Sequence, residues 1–89
     1  MDIKDLRDQI DDIDEELITL FLKRMNLSLQ IAEYKKKHNL PIYVPEREEE
    51  ILQKVAAKSG SDLECFTREL YTVIFELSRN YQQMQNFMK

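Results

Sequence analysis

The feature that most constrains this chain is a run from Asp2 to Lys37 that contains neither proline nor glycine. Its apolar residues Leu6, Ile10, Ile13, Leu17 and Leu20 alternate in spacing between four and three, and the stripe resumes after Arg24 at Leu27, Ile31 and Tyr34. That is the pattern of an amphipathic or coiled-coil-like helix. The spacing predicts one helix from about residue 2 to about residue 37, roughly 50 Å long at ~1.5 Å per residue. A compact domain of 89 residues is narrower than this. The helix is therefore expected to need a second chain along its exposed length, and a chain this short builds only a thin core alone.

Asn39, Leu40 and Pro41 break the run, and Pro45 followed by acidic residues suits the first turn of a second helix carrying Ile51, Leu52 and Val55. Ser59 and Gly60 end it. Ser61 and Glu64 have the spacing of a capping box, predicting a third helix with the stripe Phe66, Leu70, Val73, Leu77, Tyr81 and Met84. The expected fold class is all-α, three helices in the order long, short, long, within a single domain over residues 1–89. No repeat, low-complexity tract or linker leaves room for a second domain.

Composition narrows the function. Hydrophobic residues at 43% and charged residues at 34%, with one Gly and two Pro, describe a helix-rich chain. A net charge of −4 disfavours general attraction to nucleic acid or anionic membranes, so no nucleic-acid or membrane partner is expected and any anion needs a local site. No apolar stretch approaches the ~20 residues of a bilayer span. The lone Cys65 cannot form an internal disulfide, and the charged N-terminus lacks the apolar core of a signal peptide. A cytoplasmic protein is expected.

There is no Gly-rich phosphate loop, no Cys or His spacing for a metal, and no nucleophile beside a histidine. His38, the only histidine, reads as solvent-exposed, and Cys65 as a small packing residue. What is unusual is the placement of cations. Arg24 interrupts an apolar stripe, where an unpaired guanidinium is costly, so either an intramolecular carboxylate or an anionic ligand should meet it. Lys35, eleven residues or about three turns later, shares its face, although Lys35, Lys36 and Lys37 also complement the negative end of a helix. Arg47 opposes the dipole in the first turn of the second helix, where acids such as Glu48 are preferred. Ser78 and Gln82 lie four apart on one side of the third helix, as core polar groups or as donors to a ligand.

Taken together these residues resemble the all-helical class of chorismate mutase, from about Lys4 to about Gln85. The resemblance runs through Leu6-Arg7, Ile10-Asp11, Ile13-Asp14, Leu17-Ile18 and Arg24 in the first helix, then Lys35 after Ile31-Ala32, Pro41-Ile42, Arg47-Glu48, and finally Ser78 and Gln82. It implies that Arg7, Arg24 and Arg47 bind the two carboxylates of chorismate with help from Ser78. Lys35 and Gln82 would be the catalytic pair, donating hydrogen bonds to the ether oxygen, and Glu48 would hold the ring hydroxyl. Arginine suits the carboxylates because its planar fork grips them bidentately. Val44 takes the substrate-binding position where the best-known members carry an aspartate, a departure that leaves the hydroxyl contact to Glu48 and backbone groups.

The implied reaction is the Claisen rearrangement of chorismate to prephenate, on the way to phenylalanine and tyrosine. No cofactor, metal, proton transfer or covalent adduct is required; the site must hold the compact conformer and stabilise negative charge growing on the ether oxygen. Arg7 and Arg24 are seventeen residues apart, about 25 Å along one helix, too far to share one substrate. If two first helices pair antiparallel about Ile18, Arg7 of one chain reaches the other chain between Arg24 and Lys35. The expected assembly is thus an intertwined antiparallel homodimer with two sites, each built from both chains. The alternatives are an isochorismate pyruvate lyase, which Glu48 and Ser78 resemble less, and a non-catalytic helical dimerisation module, which leaves Arg24 and Arg47 unexplained.

Overall fold

The computed structural model describes residues 1–88, with side chains described as far as Gln85. It contains α1 (Ile3–Lys37), α2 (Pro45–Ser59) and α3 (Glu64–Met88), and no strand among the described residues. The expected long, short, long order is observed. Asp2 opens α1 with a capping box: its carboxylate accepts from the Asp5 backbone N–H at 2.9 Å, and the Asp5 carboxylate accepts from the Asp2 N–H. The other end is closed by Asn39 at φ 55°, a left-handed conformation that asparagine tolerates. Leu40 N–H then reaches the Lys35 carbonyl at 2.8 Å and Asn39 N–H the Lys36 carbonyl, which is a Schellman ending.

Val44, extended as a residue before proline should be, precedes α2 and gives it no side-chain cap. Gly60, at φ 78°, ends α2. The Ser61–Glu64 capping box is not what starts α3: the Gly60 carbonyl accepts from the Leu63 and Glu64 N–H groups, so backbone alone makes the turn. Cys65 is exposed and not packed, and His38 is exposed, stacked on Tyr34.

α3 is the shared neighbour, with α1 and α2 packing on it and not on each other. The result is elongated, 54 × 28 × 14 Å, with a radius of gyration of 16.3 Å against about 12 Å for a compact chain of this length. Small side chains make the α1–α3 approach close: Ser28 and Ala32 are buried on α1, and the Ser28 and Ser78 hydroxyls meet at 2.6 Å. Among the described residues, the buried apolar ones are only Ala32, Ala56 and Phe75. Every residue of α1 before Phe21 is exposed, and Leu6, Ile10, Ile13, Leu17 and Leu20 are 45% to 61% exposed. On α3 the stripe residues Phe66, Leu70, Val73, Leu77 and Met84 are likewise exposed. The face that packs is centred on Phe75, Ser78 and Gln82, about 140° around the helix from that stripe.

Candidate active site

The three elements enclose one cavity of about 510 Å³, within the range of small-molecule sites. α1 contributes Arg24, Ser28 and Lys35, the loop and start of α2 contribute Ile42, Val44, Arg47 and Glu48, and α3 contributes Phe75, Ser78, Arg79 and Gln82. Seven of the eight positions singled out in the sequence, all but Arg7, therefore line one space. Arg7 sits on the exposed first turns of α1, outside it.

Arg24 is half-buried, and among the described residues no carboxylate pairs with it; its guanidinium carbon lies 5.8 Å from the centre of the Phe75 ring. The intramolecular carboxylate that its stripe position called for is therefore not found, and the charge faces the cavity beside an aromatic face. Lys35 is drawn away from its exposed neighbours Lys36 and Lys37: its Nζ donates to the Ile42 carbonyl at 2.9 Å. The loop thus aims the ammonium into the cavity, where two of its three protons remain for a ligand. Arg47 is different. It lies on the rim, exposed, and is held by Glu50 at 2.7 Å.

Ser78 and Gln82 are both buried, at 7% exposure each. The Ser28 hydroxyl donates to the Arg24 carbonyl at 3.1 Å, so in that arrangement the Ser78 hydroxyl donates to Ser28. Ser78 then turns its lone pairs toward the cavity, and donating to a ligand requires both hydroxyls to rotate together. Gln82 Oε1 is buried without a hydrogen-bond partner among the described residues. Such an atom costs about 1–3 kcal/mol unless a donor meets it.

Glu48 is not solvated as its place in an acidic helix start suggested. Its carboxylate accepts a hydrogen bond from Arg79, and the pair is 23% and 28% exposed. That hydrogen bond raises the Arg79 pKa above its ordinary value, outweighing the opposing effect of burial. Arg79 is the site residue that sequence reasoning missed. Its spacing from Phe75, Ser78 and Gln82 at i, i+3, i+4 and i+7 places it on the same face and was the available clue.

Residues 6–83 match the family model described as chorismate mutase type II. The chain belongs to that family. Among curated proteins it is similar to the T-protein of Haemophilus influenzae, 55% identical over 51 residues covering 57% of this chain and 14% of that protein. It is also similar to the bifunctional chorismate mutase/prephenate dehydratase of Aquifex aeolicus, 52% identical over 54 residues covering 61% of this chain and 15% of that one. The chorismate mutase of Methanocaldococcus jannaschii is 34% identical over 53 residues, covering 60% of this chain and 54% of the relative. The chain thus spans about one seventh of the first two relatives. No solved structure matches significantly. The all-α fold agrees with membership of the chorismate mutase family, and no helix among the described residues is long and apolar enough to cross a membrane.

Proposed function

We propose that this chain is a chorismate mutase, converting chorismate to prephenate in the cytoplasm as a homodimer. The observation that carries the reading is the convergence on one cavity of Arg24, Lys35 and Arg47 with the buried donors Ser78 and Gln82, from three separate elements. Arg24 and Arg47 take the substrate's carboxylates, with Ser78 assisting and the partner's Arg7 completing the set. Lys35 and Gln82 face the ether oxygen, where negative charge grows as the carbon–oxygen bond breaks and the carbon–carbon bond forms. Donors already fixed by the fold stabilise that charge without reorganising, and the walls hold the reactive conformer. Glu48 accepts from the ring hydroxyl, with Val44 leaving it the only carboxylate that lines the cavity among the described residues.

The dimer rests on the exposed stripe of α1, which is larger and more continuous than a monomeric surface usually carries. Antiparallel pairing of two α1 helices covers it and brings Arg7 of one chain to the cavity of the other.

Incubating the purified chain separately with chorismate and with isochorismate and identifying the products tests the activity: prephenate from chorismate supports it, pyruvate from isochorismate indicates the lyase, and turnover of neither leaves a dimerisation module. Mixing and refolding an inactive Arg7→Ala chain with an inactive Lys35→Ala chain tests the shared site. Random pairing should restore about a quarter of wild-type activity, since each mixed dimer holds one intact site.

A further inference from the structure

The cavity carries a guanidinium that the substrate-binding scheme does not use. Arg79, half-buried on α3, donates to the Glu48 carboxylate on α2, and its guanidinium carbon lies 4.8 Å from the centre of the Tyr43 ring on the loop before α2. One side chain thus ties together the third helix, the start of the second and the loop that also receives Lys35. Only arginine combines these contacts well, because its plane can lie over a ring while its edge grips a carboxylate.

The charges in the cavity show what the arrangement accomplishes. A site for a substrate with two carboxylates should not present an uncompensated carboxylate, which repels the ligand and seeks out the cations meant to bind it. Glu48 is such a group, in the same cavity as Arg24, Lys35 and Arg47. Arg47 is turned to Glu50, and Arg24 has no carboxylate partner among the described residues. Among the described residues, Arg79 alone answers Glu48. We propose that Arg79 is a positioning residue that fixes the Glu48 carboxylate and cancels its charge, so that Glu48 accepts the substrate's hydroxyl without repelling its carboxylates or quenching their cations. This rests on the mutase reading of the same cavity.

The test is a double-mutant cycle on the full chain, reading kcat and KM for chorismate with helicity and melting temperature as controls. Arg79→Met should raise KM on the order of tenfold, the weight of one charge-assisted hydrogen bond, and change kcat less. Adding Glu48→Gln should reverse that effect: Glu48→Gln/Arg79→Met should bind chorismate as well as Glu48→Gln alone, and better than Arg79→Met. Arg79→Lys, which keeps the charge without the fork, should fall between wild type and Arg79→Met. If Arg79→Met does not fold, Arg79→Lys with and without Glu48→Gln replaces it in the cycle. Effects that multiply in the double variant, or an unchanged KM, overturn the assignment. So does a lowered melting temperature with normal kinetics, the mark of a purely structural tie. A wild-type chain without turnover overturns the proposed function and this assignment together, whereas an active wild type with multiplying effects overturns the assignment alone.

Discussion

From Leu6 to Leu20 and again from Leu27 to Tyr34, α1 carries the same apolar stripe, yet only the second stretch rests against another helix of its own chain. The stripe is not the cause, because it is exposed in both: Leu17 is 57% exposed and Ile31 50%. The difference lies on the flank. In the heptad register the second half places Ser28 and Ala32 there, small enough for α3 to approach, where the first half has the bulkier Arg7, Asp11, Asp14 and Ile18. The residues beside an apolar stripe, and not the stripe itself, decide whether it packs within its own chain.

The comparison breaks most directly in the first half. On a merely solvated face Ile13→Glu with Leu17→Glu would change stability by no more than about 0.5 kcal/mol each. If the stripe is a dimer seam, the double variant should run as a monomer by light scattering and lose on the order of 10³ in activity or more, because it loses both the assembly and the partner's Arg7. A dimeric, active double variant would leave the two halves different for some other reason.

Within the second half, Lys35 sharpens the contrast between a site residue and a helix-end cation. Lys35→Ala should lose on the order of 10² to 10³ in kcat while staying folded, and Lys36→Ala and Lys37→Ala should match wild type. Equal, small effects at all three would reduce Lys35 to a complement of the helix dipole.

Gln82, on the α3 face that meets this half of α1, tests the same oxygen with a sign. A glutamine amide donates at every ordinary pH, whereas a glutamate donates only when protonated. Gln82→Glu should therefore be impaired near neutrality, where an ionised carboxylate opposes the growing charge, and recover as acidification restores the acid form. The wild type should be comparatively flat over the same range. Turnover from about pH 4.5 to pH 8, with helicity checked at each point, decides; no recovery in a folded protein would remove Gln82 from the ether oxygen.

The smallest effect is expected at Val44, which begins α2 without a side-chain cap. Val44→Asp supplies an acceptor for the first-turn N–H groups and should stabilise by about 1 kcal/mol, or 4–8 °C in melting temperature for a chain of roughly this size. It also adds a second carboxylate to the cavity, so any change in KM reports how much negative charge the wall tolerates.

The length of α1 was legible because the absence of proline and glycine, together with the Asp2 cap, acts through neighbours in the chain. The resemblance drew out seven residues that line the cavity, though it could not show how they are held there. Arg79 was passed over because the apolar stripe on α3 pointed to Leu70, Val73 and Leu77, whereas the face that packs centres on Phe75, Ser78 and Gln82. Position alone did not single out Glu48 for a related reason, since among four acids at a helix start nothing local marks the one with a distant partner.

The sequence by itself determined the helices and their ends, because helix hydrogen bonds, caps and the Asn39 turn involve residues no more than about five apart. Only the tertiary structure decided that Ser28 meets Ser78 and that Glu48 meets Arg79, fifty and thirty-one residues apart. Such pairings depend on which faces of two helices come together. Periodicity does not choose between them when the most apolar stripe on each helix is left exposed, and the faces that do meet are lined by serine, alanine, glutamine and charge.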